Sequence, residues 1–215
     1  MTAQSTKAEQ PRYLALTGDL VDSRSLTNRA ALQHQLLAAI DQLNELVGAD
    51  LVAPYRLTAG DEVQGLALSS GPVIDAIVSL SDAVAPAQFA WGLGYGELST
   101  DIGTEVSYLD GPCFHRSRDS LELARKSGDW FNVRGLGDVA DEVLSALMNL
   151  LGDLRAGWTT TQIAYIREAR TLRQVEVALR FDVDPSTVSR ALRSAAFSRL
   201  LTGEAAARSL LEASL

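Results

Sequence analysis

The feature that most constrains this chain is a change of hydrophobic period near Gly137. Before it, short apolar runs bounded by Gly, Asp and Pro alternate with stretches of helical spacing. After it, the apolar residues fall only at helical spacing. A chain written this way has to build a sheet with its first part and a helical unit with the rest.

Strand-like runs lie at Tyr13–Thr17, Leu51–Leu57, Val63–Leu68, Phe89–Tyr95 and Trp130–Val133. Helical spacing covers Thr27 to about Val47, where Leu32, Leu36, Leu37, Ile40, Leu43 and Leu46 recur. Ser25 or Thr27 is its candidate cap and Gly48 its stop. Two further helices are predicted over Pro72–Val84 and Pro112–Lys126, each with Pro in its first turn. Ala59-Gly60-Asp61 separates the second and third runs, and Gly60 supplies the positive φ of a tight hairpin. The opening order βαββαβ predicts an α+β, ferredoxin-like sheet with its helices on one face. Beyond Gly137, residues Val139, Val143, Leu144, Leu147, Leu150, Leu151 and Leu154 are expected to form one apolar stripe. The expected organisation is a disordered tail over 1–11, the sheet domain over 12–135, a linker helix over 136–156 and an all-α domain over 157–215.

Charge divides the same way. The net charge of −8 conceals an uneven distribution. Residues 155–215 hold nine arginines and six acids, a balance of +3, which leaves 10 bases and 21 acids, or −11, for residues 1–154. A basic end on an acidic body suggests that one module meets an anion. With 47% hydrophobic and 21% charged residues the chain is not of the disordered class, and no apolar stretch is long enough to span a membrane. The N-terminal stretch has no apolar core of a secretory signal, and the single cysteine, Cys113, allows no intrachain disulfide. A cytoplasmic location is expected.

Within the basic end, residues 171–192 read TLRQVEVALRFDVDPSTVSRAL. The spacing predicts a helix from Leu172 to Phe181 capped by Thr171, with Val175, Ala178 and Leu179 inward. A turn follows with Asp182 left-handed, Val183 under the turn and Asp184 as cap, and a second helix begins at Pro185. Val188 and Leu192 hold that second helix to the first, leaving Ser186, Thr187, Ser189, Arg190 and Arg193 outward. Hydroxyl side chains and arginines on such a helix suit the major groove of double-stranded DNA. This segment resembles the recognition unit of bacterial helix-turn-helix regulators. A helical bundle used only for dimerisation is the alternative.

The sheet half carries a second constellation, LTGDLVDSR and RLTAGDEVQGL. Asp19 ends the first strand and Asp61 sits at the hairpin, so the two carboxylates are candidate ligands for Mg²⁺ or Mn²⁺, hard ions that take oxygen donors. Ser23 and Arg24, just ahead of a helix start, are candidate phosphate contacts, and Glu62 and Arg118 complete the candidate nucleotide-binding set. Solvated turn and hairpin residues are the plainer reading.

The arrangement is similar to the palm of nucleotidyl cyclases and GGDEF proteins, where an Asp on the first strand and a Gly-Asp hairpin hold the metals. WGLGYGEL resembles the strand that follows there, and DGPCFHRSRDSLELAR the Gly-led helix that steadies the transition state. Together with YLALTGDLVDSR, LTAGDEVQGL and the helix-turn-helix, these segments resemble the SatD family. There are departures: His115 stands where a cyclase has Asn, Arg118 falls one residue early, and residues 8–125 contain no Lys for base recognition. The leading expectation is a transcriptional regulator, homodimeric, whose cyclase-like domain dimerises or binds a nucleotide or metal. A metal-dependent nucleotidyl cyclase or nucleotide hydrolase working at Asp19 and Asp61 is the alternative, and a non-enzymatic partner-binding scaffold the second.

Overall fold

The computed structural model describes residues 10–22, 28–58, 60–103 and 105–215. The expected tail therefore lies almost wholly outside the described residues, as do Ser23, Arg24, Ser25 and Thr27. Five strands form one sheet: β1 (Arg12–Leu20), β2 (Leu51–Leu57), β3 (Glu62–Ala67), β4 (Phe89–Glu97) and β5 (Phe131–Arg134), in the order β2-β3-β1-β4-β5. Between them run α1 (Arg29–Val47), α2 (Ser70–Val84) and α3 (Pro112–Ser127). Five more helices follow: α4 (Asp138–Ala156), α5 (Thr160–Ala169), α6 (Gln174–Arg180), α7 (Pro185–Ser194) and α8 (Phe197–Glu212).

β1 is central because its residues are apolar or small on both faces. Leu14, Leu16 and Leu20 enter one core with Leu36 and Ile40 of α1 and Ile74 and Ile77 of α2. Tyr13 and Ala15 point the other way, against Cys113 and Phe114 of α3. β1 pairs antiparallel with β3 and β4, and β2 pairs antiparallel with β3, as the βαββαβ order predicts. Gly60 takes φ +77° in the hairpin turn.

The helices do not share one face. β5 lies parallel to β4, and a parallel pair requires a crossover, which α3 supplies on the face opposite α1 and α2. The sequence permits this because Gly92, Gly94 and Gly96 clear that face of β4. A Cβ at Gly92 would collide with the Ser117 carbonyl and one at Gly94 with the Cys113 carbonyl. The α3 backbone thus rests directly on the strand.

α4 also differs from expectation. Leu144, Met148 and Leu151 are buried, while Val139, Val143, Leu150 and Leu154 are exposed, so the single expected stripe is two faces of one helix. The buried face packs on Phe131 and Val133 and on α8. From there one continuous apolar cluster runs through Ile166, Val177, Val188, Leu192, Leu200 and Leu211, joining the helical half to the sheet. No helix among the described residues is long and apolar enough to cross a membrane.

Candidate functional site

The turn between α6 and α7 follows from four residues. Asp182 adopts φ 52°, and the next amide, Val183 N, bonds back to Ala178 O at 3.0 Å, which closes α6. Asp184 then accepts from Ser186 N at 2.8 Å, and Pro185 occupies the first helical position. The bonds from Ser186 hold the Asp184 carboxyl below the usual carboxylate range. Val188 and Leu192 are buried beneath α7, whereas Ser186, Arg190 and Arg193 are exposed, and Thr187 and Ser189 are half-buried. Arg190 Nε donates to Ser186 O at 3.2 Å, so its guanidinium lies along the outer face of the helix.

Two expectations for α6 are corrected. The helix begins at Gln174, because the Thr171 and Leu172 amides still bond to Glu168 O and finish α5. Its buried pair is Val177 and Ala178; Val175 and Leu179 are 56% and 77% exposed. The inward face is the one that ends on Phe181, whose ring meets Tyr165 edge-on at 4.9 Å.

The nine arginines have divided fates. Arg155 and Arg170 both reach Asp82, each at 2.5 Å, and Arg170 also grips Glu204 at 2.7 and 2.9 Å. Arg167 donates to the carbonyls of Asp82, Ala83 and Ala85 at the end of α2. Arg208 pairs with Asp75, Arg180 with Glu168 and Arg173 with Glu176. Much of the basic excess is therefore spent docking the helices to α2. Arg190, Arg193 and Arg199 remain exposed and have no ion pair among the described residues.

On the sheet, Asp19 faces α3, with Glu62 opposite it in the β1–β3 ladder. Asp61 sits beside it in the turn. The group that reaches Asp19 is Arg125, at 2.5 Å. Burial nonetheless raises the Asp19 pKa; Arg125 pulls it down, and the Asp61 and Glu62 carboxylates add to the rise. Glu62 accepts from Gln64 Nε2 at 2.7 Å. Among the described residues no three His, Cys, Asp or Glu side chains come together in a way that could hold a metal ion. The donor set is a poor fit for a cation bridging Asp19 and Asp61, since a guanidinium already neutralises Asp19. Arg118 stands exposed on α3, N-terminal to Arg125. Arg125 was missed in the sequence because its partner on β1 is more than a hundred residues away along the chain; the small Ser117, Ser120 and Ala124, which let α3 lie close, were the available hint. His115 bonds Asp110 at 3.0 Å, and burial pushes the Cys113 thiol up to about 11, too high for a reactive thiolate.

These features define a mixed α+β protein, with a helical C-terminal half bound onto its sheet. The chain belongs to the SatD family, whose model matches residues 13–211. Among curated proteins none matches it. One solved structure, described as that of a bacterial light-regulated adenylyl cyclase, is similar at 12% identity. The match covers 57% of this chain and 74% of that one, with a TM-score of 0.40.

Proposed function

We propose that this protein binds double-stranded DNA through α7, as a helix-turn-helix protein acting in transcription regulation. The observation that carries this reading is the exposure of Ser186, Arg190 and Arg193 on a helix whose opposite side is anchored by Val188 and Leu192. The left-handed Asp182 and the Asp184 cap support it, because they set a short, rigid turn between two packed helices. In this reading the amide end and hydroxyls of α7 meet phosphate, and Arg190 and Thr187 reach base edges.

One such helix binds weakly, so the reading includes a homodimer on half-sites about 34 Å apart. The exposed apolar side of α4 supports a second copy as partner: Val139, Val143, Leu150 and Leu154 recur along it at spacings of four, seven and four, the spacing of a paired-helix seam. The test is fluorescence anisotropy with genomic DNA fragments over a salt series. Binding should weaken steeply with salt and fall in Arg190→Ala. Unchanged affinity in Arg190→Ala overturns the assignment of α7. The Asp19–Arg125 pair gives no comparable support to a metal-dependent nucleotide enzyme. Product formed from nucleoside triphosphates with Mg²⁺ or Mn²⁺, and lost in Asp61→Asn, would favour that reading instead.

A further inference from the structure

We propose that the cavity between the sheet and the ends of α3 and α4 binds a small organic cation, an amine carried on an apolar or aromatic body. The cavity has a volume of about 360 Å³, within the range of small-molecule sites. It opens where the residues after β1 and the first of β4 meet the ends of α3 and α4, with Ile163 of α5 in the wall. No residue of α7 lines it, so the inference stands apart from the DNA reading.

Two carboxylates on the lining, Asp129 and Asp153, form no ion pair among the described residues. They stand on touching segments: a Cβ on Gly152, next to Asp153, would meet the Cβ of Trp130, next to Asp129, at 2.6 Å. Like charges brought together without a counter-ion favour a cation beside them. The two basic groups on the lining do not cancel them. Arg125 is paired with Asp19. Arg155 holds Asp82 and lies against Trp130 and Trp158, and its second terminal nitrogen is buried away from the cavity. Behind this wall Arg170 takes Asp82 and Glu204, and Arg167 donates to the carbonyls that end α2. That group adds one positive charge, short of the two carboxylates in front of it, even before Asp22, a third acid on the lining, is counted. A metal ion is a poor occupant. Among the described residues no three acidic, His or Cys side chains come together to hold one, and two carboxylates give a hard divalent ion too few oxygens. Much of the wall is apolar, with Pro86, Phe89, Trp130, Trp158 and Ile163, so an amine gains from burial here when it carries a hydrophobic body.

Two of the three tryptophans line this cavity, so their emission reports its occupancy. The protein is titrated with phenethylamine under excitation selective for tryptophan, and its melting temperature is followed in parallel. We expect a saturable emission change and a rise in melting temperature, since a ligand of the native state stabilises it. 2-Phenylethanol, the same shape without the charge, and hydrocinnamate, with the opposite charge, are each expected to bind about tenfold more weakly or worse. Added salt should weaken phenethylamine and leave 2-phenylethanol unchanged. Replacing both acids, Asp129→Asn with Asp153→Asn, breaks no side-chain bond among the described residues. It should weaken phenethylamine about tenfold without altering 2-phenylethanol. Ala156→Leu, an exposed change on the lining, narrows the cavity and should weaken every probe. No saturable change with phenethylamine, equal binding of 2-phenylethanol or hydrocinnamate, or undiminished binding in either variant would overturn the proposal.

Discussion

The arginines of the helical half fall into two populations that composition cannot tell apart. At the junction with α2, Arg155, Arg167 and Arg170 are drawn into the protein by Asp82, Glu204 and the carbonyls that end α2. On α7 and α8, Arg190, Arg193 and Arg199 point to solvent. The first group behaves as structural cement, where a buried charge is tolerated only because its partner is buried with it. The second group is held at low cost and stays available to an external anion. A basic excess in a sequence therefore measures both uses together, and only the position of the acids separates them.

The largest expected effect tests the cement. Asp82→Ala leaves Arg155 and Arg170 without a shared carboxylate and should cost about 3–5 kcal/mol, read from denaturant unfolding. A loss below about 1 kcal/mol would mean that the junction arginines are as dispensable as surface ones. The opposite behaviour is expected of Arg190→Ala and Arg193→Ala. Each should change stability by no more than about 0.5 kcal/mol, yet cost about 1–3 kcal/mol of DNA affinity at fixed salt. If these variants instead unfold the protein, the contrast between the two populations disappears.

A smaller effect sharpens the α7 side. Asp184→Ala removes the cap of α7 and should lower the melting temperature slightly, with DNA affinity falling along with it, since the same amide end is proposed to face phosphate. The smallest concerns Asp19, the buried carboxylate of the sheet. Its folded pKa lies above the ordinary 3.8, so the folded protein holds this proton more tightly than the unfolded chain does. Its contribution to stability therefore grows as pH falls through the folded value and is complete below the ordinary one; at neutral pH the ionised form is disfavoured. Asp19→Asn should leave the melting temperature at pH 7 unchanged or slightly raised despite losing the Arg125 pair. Its advantage over the wild type should shrink on acidification. A clear drop at pH 7 would show that the Arg125 pair outweighs the burial cost, making Asp19 cement like Asp82.

Much of the sheet was legible because its signals are local. The continuous apolar run of β1, the Gly60 turn and the Pro-led helices each arise from neighbours in sequence, and the order βαββαβ then leaves few ways to pair the strands. The turn before α7 was equally readable, since the tolerance of Asp182 for a left-handed backbone and the reach of Asp184 to Ser186 N span only a few residues. Less legible were the face taken by α3, the split of α4 into a buried and an exposed side, and the inward pair on α6. Each depends on what lies opposite, and helical spacing cannot say which of two apolar sides meets a neighbour.

What the sequence determined by itself, then, was the strands and the helices between them, the two tight turns and the exposure of Ser186, Arg190 and Arg193 on α7, because propensity, capping and periodicity act within a few residues. The tertiary structure decided the partners. It brought Arg155 and Arg170 to Asp82, Arg125 to Asp19 and two indoles to one guanidinium, in each case joining residues far apart in the chain. Charge and burial at such places depend on the packing of whole elements, and no local pattern encodes that.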